Sequence, residues 1–287
     1  MLLTAARSPA FTLTSTPARL PVLLSVPHAG RRYAPALLAA TRLPASALWV
    51  LEDPLVDRLI GRGIDAGAAA ILAHAPRAEI DLNRSVADLD PAMIAPSPRG
   101  SAVADAPASR RAAAGLGLIP SRLLTHGAIW RRPLPRSEVD RRIVEIHTPY
   151  HAAIEAELLR MRDRFGIAVL IDCHSMPPRV GSPVVLGDRY GTSSAPRLVA
   201  AIEAACDAHT FPATRNDPYA GGEIVARHGR PATGIHAVQI EIDRRAYLGG
   251  DMRTAGLGFD RVAALIAAIV TAVGDAALST DLALAAE

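Results

Sequence analysis

The chain has 287 residues, 50% of them hydrophobic and 21% charged, a composition that excludes wholesale disorder and allows a substantial buried core. Its 31 basic residues are all arginine and are offset by 28 acidic residues, which leaves a net charge of only +3. Arginine and acidic residues alternate along most of the chain, whereas a nucleic-acid binder usually concentrates positive charge on one face. The two cysteines, Cys173 and Cys206, form neither a disulfide framework nor a cysteine zinc motif and indicate a reducing, cytoplasmic setting.

Apolar runs and hydrophobic periodicity predict alternating strands and helices. In chain order, the pattern predicts a strand over 21–26, a helix over 53–62, a strand over 68–73, a long or broken helix over 138–165, a strand over 167–171, a helix over 195–209, a strand over 236–242 and a helix over 254–273. Pro149 interrupts the fourth of these elements because it cannot donate a backbone hydrogen bond. The alternation predicts an α/β fold in three layers, with a mixed, mostly parallel sheet flanked by helices.

Residues 90–135 differ in texture from the chain on either side. Seven prolines and several glycine, serine and arginine residues occupy this stretch, with little periodicity. The strands before and after it are expected to share one sheet, which disfavours a linker between two domains. We therefore predict a single α/β domain over 1–287 with an excursion or lid at about 90–135, beside the functional site.

No segment predicts export or membrane insertion. The apolar run over 20–26 is short and ends in a Pro-His-Ala-Gly turn. The longest apolar stretch, over 262–273, falls well below the roughly 18 residues that a membrane span requires. We expect a compact cytoplasmic protein without a membrane partner.

Polar side chains cluster where the predicted strands end, which is where open α/β sheets bind ligands. These residues are His28 after the first strand, Asp81, Asn83 and Arg84 after the second, His174 after the strand over 167–171, and Glu241 and Asp243 at the end of the strand over 236–242. A hydrolytic zinc site needs this inventory: nitrogen and oxygen ligands, a carboxylate base and cationic substrate clamps.

Each of these residues also has a purely structural interpretation. A histidine at a strand end is often only hydrogen-bonded, although two of them in tight turns favour a ligand role more strongly. Asp172 could orient His174 from behind. Arg77 and Arg84 could form no more than an ion-pair network with Asp81. The serine beside His174 does not predict a serine hydrolase, because no Gly-x-Ser-x-Gly turn is present.

Seven short motifs occur in the order seen in a known family. They are Ser25-Val-Pro-His-Ala-Gly30, Arg77-Ala-Glu-Ile-Asp-Leu-Asn-Arg84, Pro149-Tyr-His151, Asp172-Cys-His-Ser-Met-Pro177, Gly187-Asp-Arg189, Asn216-Asp-Pro-Tyr-Ala-Gly-Gly222 and Gln239-Ile-Glu241. Over roughly residues 20–250 the chain resembles the N-formylglutamate amidohydrolases. The resemblance implies a phosphorylase/hydrolase-like fold related to zinc carboxypeptidases and metal-assisted hydrolysis of a small N-acyl amino acid. In this family the typical reaction releases formate from N-formyl-L-glutamate, late in histidine breakdown.

The resemblance assigns His28 and His174 as two ligands of one zinc ion per chain. Carboxypeptidase-like sites pair a histidine with a glutamate three residues later, but an arginine stands at that position after His28. The third ligand must therefore come from elsewhere. We predict Asp53, with Glu52 and His151 as the alternatives.

The resemblance also assigns the catalytic base and the substrate contacts. Glu241 lies where carboxypeptidases keep the carboxylate that activates water. Asn83 and Arg84 resemble the Asn-Arg pair that binds a substrate carboxylate, a task for which the planar guanidinium fork is suited. The other predicted substrate-binding residues are Arg77, Arg189, Asn216, Tyr219 and Arg244. Arg189 and Tyr219 could instead only brace a loop, while the glycines at 221–222 permit close backbone approach to a ligand.

Other functions stay open at the level of the sequence. The substrate could be another N-acyl amino acid or a small peptide, hydrolysed by a related metal-dependent amidase or peptidase. A non-catalytic basic binding protein could use the arginine pairs 110–111, 131–132 and 141–142 to contact phosphates, but only 11 aromatic residues are available for stacking. A catalytically silent family member is disfavoured because every candidate position is filled. We predict a small-molecule substrate and no nucleic-acid partner, with the oligomeric state open.

Overall fold

The computed structural model describes residues 9–14, 18–95, 109–178 and 181–284. Within these ranges the chain forms a seven-stranded sheet and a separate two-stranded hairpin. The strands are β1 (Phe11–Leu13), β2 (Val22–Val26), β3 (Ala69–Ala73), β4 (Arg122–Leu123), β5 (Gly127–Ala128), β6 (Ala168–Met176), β7 (Val184–Gly187), β8 (Ala213–Arg215) and β9 (Ile235–Asp243).

The seven-stranded sheet is mixed but mostly parallel. Its strand order is β1-β3-β2-β6-β9-β7-β8. The central strands β3, β2, β6 and β9 run parallel to one another, while β1 is antiparallel to β3 and β7 is antiparallel to β9. Every residue of β2 and β6 is buried, as expected where helices cover both faces of a parallel sheet. The carboxyl ends of β2, β6 and β9 therefore lie side by side at one edge of the sheet.

Helices account for most of the remaining regular structure. The α-helices of the described residues are α1 (Pro35–Ala40), α2 (Ala45–Leu48), α3 (Val56–Leu59), α4 (Gly61–Ala66), α5 (Arg110–Ala113), α6 (Arg136–Arg142), α7 (Thr148–Phe165), α8 (Pro196–Ala208), α9 (Glu223–His228) and α10 (Phe259–Leu284). Short 3-10 turns occupy Trp49–Leu51, Pro91–Met93, Pro231–Thr233 and Arg244–Ala246.

A layer of helices covers each face of the sheet, so the predicted three-layer α/β fold is confirmed. On one face α10 packs against α3, α4 and α8, and the buried core there includes Leu24 and Ile171. On the other face α7 and α9 pack on β6 and β9, around Leu23 and Tyr150. Full burial of one such side chain stabilises the folded state by about 1.5–3 kcal/mol relative to its exposure.

Two predicted helices have different bounds in the structure. The helix expected over 53–62 is divided into α3 and α4 and begins only at Val56. The Asp53 N–H is held by the carbonyl of His28 (3.0 Å), which keeps the chain extended before the helix. The closing helix begins at Phe259 rather than at 254, because the preceding turn is tied back by a bond from the Gly256 N–H to the Tyr247 carbonyl (2.8 Å).

The long helix predicted over 138–165 continues through Pro149. Helix α6 passes into α7 through one wide π-helical turn at Ile143–His147. Pro149 lies in the first turn of α7, directly after the π turn. The π turn places one extra residue in the helical repeat.

Helix α10 is long and apolar enough to cross a membrane, by length and composition alone. Half of its apolar window is nevertheless buried within the protein. Val262, Leu265 and Ile266 are among the side chains that it contributes to the core against the sheet. This packing accounts for the apolar character of the helix.

The excursion predicted over 90–135 lies partly outside the described residues, which omit 96–108. Its described part contains α5 and the hairpin of β4 and β5. The Leu118 carbonyl accepts a hydrogen bond from the Asp81 N–H (2.8 Å). This part of the excursion thus packs against the loop that follows β3.

Candidate active site

Three neighbouring strands bring the main candidate residues together. His28 follows β2, while His174 lies in β6 and Glu241 in β9. His174 and Glu241 are direct partners in the parallel register of β6 and β9. Because paired residues of parallel strands project to the same side of the sheet, both side chains lie on the same face.

His28, Asp53 and His174 form a compact and buried group. One ligand atom from each lies within 4.8 Å of the others. Asp53 Oδ2 is 3.0 Å from Nδ1 of His174 and 3.3 Å from Nδ1 of His28. The structure therefore brings together the three residues predicted to bind the metal, although they come from separate segments of the chain.

Two further carboxylates fix the orientation of both imidazole rings. His28 Nε2 donates to Asp81 Oδ1 (2.7 Å) and His174 Nε2 donates to Asp172 Oδ2 (2.7 Å). A carboxylate can only accept, so each ring carries a proton on Nε2 and presents Nδ1 to Asp53. Metal-binding histidines are commonly held by such outer carboxylates.

The charges around this group are strongly coupled. Burial alone would raise the pKa of Asp53, but the hydrogen bond from His174 and the charges of His174 and His28 hold it well below its usual value. Burial likewise opposes a charged His174, yet the Asp172 and Asp53 carboxylates raise its pKa well above the usual range. The group therefore strongly favours a positive charge beside Asp53.

The donor set fits a divalent cation. Nδ1 of His28 is buried and, within the described residues, has no hydrogen-bond partner. Buried polar atoms without a partner are rare in folded proteins. A cation held by the two Nδ1 atoms and the Asp53 carboxylate would supply that partner. Two nitrogens and one oxygen would leave the fourth position of a tetrahedral zinc site open.

Glu241 has the properties of a general base. Its Oε1 accepts a hydrogen bond from Gln239 Nε2 (2.9 Å). Burial, helped by the Asp53 charge, raises the pKa of Glu241 to about 7, although His174 and Arg77 oppose this shift. A carboxyl group with a pKa near neutrality can both accept and return a proton.

Asn83 joins this centre to a cleft beside it. Its N–H donates to Asp81 Oδ1 (2.9 Å), which forms a tight turn. Its side-chain Oδ1 accepts from the Ile224 N–H (2.9 Å), and its Nδ2 donates to Gln239 Oε1 (3.3 Å) while lying 3.1 Å from His174 Nε2. The amide is thus fixed by the protein between the histidine and the cleft.

The cleft has a volume of about 540 Å³, and nine of its thirteen lining residues have polar or charged side chains. It is lined by Asn83, Arg84, Ser85, Ala87, Asp88, Ser109, Arg110, Arg111, Arg189, Gly221, Gly222, Glu223 and Ala226. Arg84, Arg189 and the glycine pair, which the sequence predicted as ligand contacts, all line this cleft. A larger cavity of about 900 Å³ between α1 and α6 is lined by none of the predicted site residues.

The other predicted substrate-binding residues are engaged with the protein. Arg77 Nε donates to Asp81 Oδ2 (2.8 Å), and Arg244 Nε donates to Ser175 Oγ (3.1 Å). Both guanidinium groups therefore bind residues that adjoin His28, Asp53 and His174.

Asn216 and Tyr219 do not line the cleft. Asn216 Oδ1 accepts from the N–H groups of Asp188 (3.1 Å) and Tyr190 (3.3 Å). These bonds hold the turn that carries Arg189. The roles of Asn216 and Tyr219 as substrate contacts stay predictions.

The alternative third ligands point elsewhere. The Glu52 carboxylate accepts from the Tyr33 hydroxyl (2.6 Å) and faces Arg253 (3.3 Å). His151 Nε2 donates to the Leu82 carbonyl (3.0 Å), and its Nδ1 meets His228 (2.9 Å). Of the three candidates, Asp53 is the one that contacts both His28 and His174.

The long helix of α6, the π turn and α7 supports the loop of residues 79–84 from behind. Arg142 donates to the Glu79 carbonyl (2.7 Å), His147 Nε2 to the Arg84 carbonyl (2.9 Å), and His151 to the carbonyl of the residue at 82. Carbonyl groups of the loop thus face the helix, while the side chains of Asp81 and Asn83 contact His28 and His174.

Several residues that lie at the site or line the cleft were not predicted from the sequence as site residues. Gln239 lies two residues before Glu241 on β9 and so shares its face, a signal that strand periodicity could have supplied. Arg110 and Arg111 were considered only as phosphate contacts, because nothing local indicates where the excursion folds back. Arg141 of that basic-surface hypothesis is bonded to Glu138 (2.7 Å), so it does not contribute a free cation.

Gly222 provides a test of the packing at Asn83. A Cβ atom on Gly222 would lie 2.4 Å from Asn83 Oδ1. We expect Gly222→Ala to lower the free energy of unfolding by about 1–3 kcal/mol, the usual range for overpacking, as measured by denaturant titration. Gly250→Ala is the control, since a Cβ there meets nothing within 4 Å. Equal stability of the two variants would contradict the contact.

Known proteins resemble this chain over most of its length. The sequence profile of the N-formylglutamate amidohydrolases matches residues 20–248. The chain is 32% identical over 240 residues to an N-formylglutamate deformylase of Pseudomonas aeruginosa, which covers 80% of this chain and 83% of that protein. It is 31% identical to an N-formylglutamate deformylase of Pseudomonas putida, with 80% and 82% covered.

Solved structures share the fold. The crystal structure of an N-formylglutamate amidohydrolase from Ralstonia eutropha JMP134 superposes with a TM-score of 0.83 at 32% identity, covering 93% of this chain and 98% of that chain. A gene product of Agrobacterium tumefaciens superposes with a TM-score of 0.66 at 20% identity, covering 96% and 97%. The second similarity concerns the fold alone.

Proposed function

This chain belongs to the N-formylglutamate amidohydrolase family, and we propose that it hydrolyses N-formyl-L-glutamate to formate and L-glutamate with one Zn²⁺ ion bound by His28, Asp53 and His174. Family membership makes the chain an amidohydrolase and confirms the resemblance found in its motifs. One observation carries the zinc part of the proposal. The buried Nδ1 of His28 faces a carboxylate and a second imidazole Nδ1, and the described residues offer it no hydrogen-bond partner.

The surrounding residues support a simple proton cycle. Bound at these ligands, Zn²⁺ would lower the pKa of water toward about 7 and polarise the formyl oxygen. Glu241 accepts the proton that the water loses as its oxygen bonds to the formyl carbon. The same carboxyl group donates a proton to the amide nitrogen as the C–N bond breaks, which releases formate and L-glutamate. The pKa of about 7 suits Glu241 to both steps.

The predicted substrate-binding residues take different parts in this proposal. Arg84 and Arg189, in the cleft, bind substrate carboxylates. Arg77 and Arg244 hold the segments that carry the metal ligands, since their hydrogen bonds go to Asp81 and to the strand residue beside His174. Asn83 lies between His174 and the cleft and separates the proposed zinc site from the substrate cleft. Asn216 and Tyr219 do not touch the substrate in this proposal but support the loop that carries Arg189.

Replacing Arg84 tests the clamp on the carboxylate next to the scissile amide. Arg84→Lys should raise KM for N-formyl-L-glutamate and lower kcat/KM by about 10–100-fold, because a point charge replaces a planar fork and a lost charge-assisted bond costs about 1.5–3 kcal/mol. On the 1-amide of the same substrate the variant should lose little. Arg84 Nε also donates to the Leu116 carbonyl (2.9 Å), so an equal loss on both substrates would reduce its role to loop support.

Metal analysis combined with a substrate panel tests the proposed function. The purified protein should hold about one zinc per chain, lose activity on chelation and regain it with zinc. Among N-formyl-glutamate, N-acetyl-glutamate, other N-formyl amino acids and dipeptides, N-formyl-L-glutamate should have the highest kcat/KM. A higher kcat/KM for a dipeptide or for another acyl group would show that the preferred substrate is that compound and not N-formyl-L-glutamate. Full activity without any metal would overturn the zinc assignment.

Three parts of the proposal follow from the family alone. A small-molecule substrate, a cytoplasmic location and a place late in histidine breakdown are what the resemblance implies. Purification from cell fractions and growth on histidine as the nitrogen source would test the last two.

A further inference from the structure

Four arginines line the cleft that lies beside His28, Asp53 and His174. Arg110, Arg111 and Arg189 line it, and within the described residues none of their guanidinium groups forms a hydrogen bond or an ion pair. Arg84 lines the same cleft, with its Nε 3.8 Å from Asp81 and 4.0 Å from Asp88. An arginine usually finds a carboxylate where one is within reach, so this arrangement calls for a ligand of negative charge.

These cations come from separate segments and are brought together by the fold. Arg84 follows the turn after β3, Arg111 lies in α5 of the excursion, and Arg189 stands in the turn after β7. Arg189 has a left-handed backbone (φ 53°) that the bonds from its neighbours to Asn216 maintain. Burial lowers the pKa of Arg84, and the charges of Arg77 and Arg111 lower it further, although the carboxylates of Asp81 and Asp88 oppose the shift. Like charges gathered in this way are unfavourable until an anion arrives.

The acidic residues of the cleft do not neutralise the arginines. Asp88 and Glu223 are the acidic residues of the lining, against four arginines. Asp88 also accepts a hydrogen bond from the Ser109 hydroxyl. Burial raises the pKa of Glu223, although Arg227 and Arg189 oppose the shift. Among the described lining residues, four arginines face two acidic residues, an excess of two positive charges that matches a ligand with two carboxylates.

The arginines of the cleft differ in how deeply they are buried. Asn83, which touches His174, is 7% exposed and Arg84 is 14% exposed, whereas Arg111 and Arg189 lie exposed at the rim. A substrate with its amide at the group of His28, Asp53 and His174 would meet the buried Arg84 before it met the exposed arginines at the rim. We propose that Arg111 and Arg189 bind the carboxylate farther from the scissile amide and thereby select dicarboxylic N-acyl amino acids. This inference rests on the proposed function and deepens it.

Charge removal at the rim, measured on paired substrates, tests the inference. Arg111→Gln and Arg189→Gln should each raise KM for N-formyl-L-glutamate and lower kcat/KM by about 10–100-fold, with kcat nearly unchanged. On N-formyl-L-glutamine, whose distal group is a neutral amide, each variant should keep most of the wild-type kcat/KM. Arg132→Gln is the control, because it removes an exposed arginine that lies outside this cleft.

A binding measurement separates this inference from the proposed function. Calorimetry of the zinc-loaded protein with glutarate, a dicarboxylate without an amide, should give a Kd about tenfold or more weaker for either rim variant than for wild type or Arg132→Gln. Equal losses on the glutamate and glutamine substrates, or unchanged glutarate binding, would overturn the inference while the hydrolytic function stands. A wild-type protein that binds glutarate through the rim but hydrolyses neither substrate would instead overturn the proposed function.

Discussion

Replacement of Glu241 by glutamine is expected to lower kcat by about 10²–10⁴-fold while the metal stays bound. The change keeps the size of the side chain and its contact with Gln239 but removes the ability to accept a proton. The expected range is the usual contribution of general acid–base catalysis. Single-turnover kinetics and metal analysis of the same preparation would measure both quantities.

The pH profile gives this prediction a second readout. Because the pKa of Glu241 is raised to about 7 by burial, the carboxylate forms as pH rises, and kcat should rise with it. A bound cation favours the charged carboxylate, so in the loaded enzyme the rise would fall at or below neutral pH. Glu241→Gln should lose this rise.

The controls for Glu241 separate a base from a ligand. Glu203→Gln, a matched change on α8 at a carboxylate paired with Arg215, should leave kcat and the profile unchanged. Loss of metal from Glu241→Gln would make the residue a ligand. An unchanged kcat would exclude both roles.

His174→Ala is expected to lose most of its bound zinc and nearly all of its activity. The substitution removes one of three protein ligands and leaves the carboxylates of Asp53 and Asp172 without their shared imidazole. Zinc content by mass spectrometry of the dialysed protein and kcat/KM would measure the effect. A His174→Ala protein with its full zinc content would contradict the ligand assignment.

Folding must be followed in the same experiment, because breaking a buried ion pair can cost about 3–5 kcal/mol. Circular dichroism would show whether the variant keeps its secondary structure. His28→Ala removes the second imidazole and should have the same effect on zinc. His126→Ala removes an exposed histidine and should retain both zinc and activity.

Much of the frame of the site was predictable from the sequence. The apolar runs before His28 and around 167–171 and 236–242 are buried strands in adjacent positions, as parallel-sheet topology requires. Side chains at their ends therefore had to converge. The alternation of residues along β6 also predicts that Asp172 and His174 share a face, which the 2.7 Å bond between them bears out.

The remaining parts depend on contacts that no local pattern encodes. Glu52 and Asp53 are adjacent carboxylates, and the choice between them is made by a bond from the Asp53 N–H to the His28 carbonyl and by Tyr33, which holds Glu52. The approach of Arg111 to Arg84 depends on how an excursion of low periodicity packs. Composition and spacing describe such a segment but do not position it.

The π turn at Ile143–His147 has a consequence for how the site tolerates change. Residues on either side of this turn, Arg142 in α6 and His151 in α7, hold carbonyls of one loop. The π turn absorbs one extra residue, and an ordinary α-helix advances by about 100° per residue. The same residues in an unbroken α-helix would therefore rotate one half of the helix by about that angle relative to the other, and one set of donors would leave the loop. A substitution that straightens this turn would thus release the loop that carries Asp81, the partner of His28, although the turn itself lies on the far side of that loop.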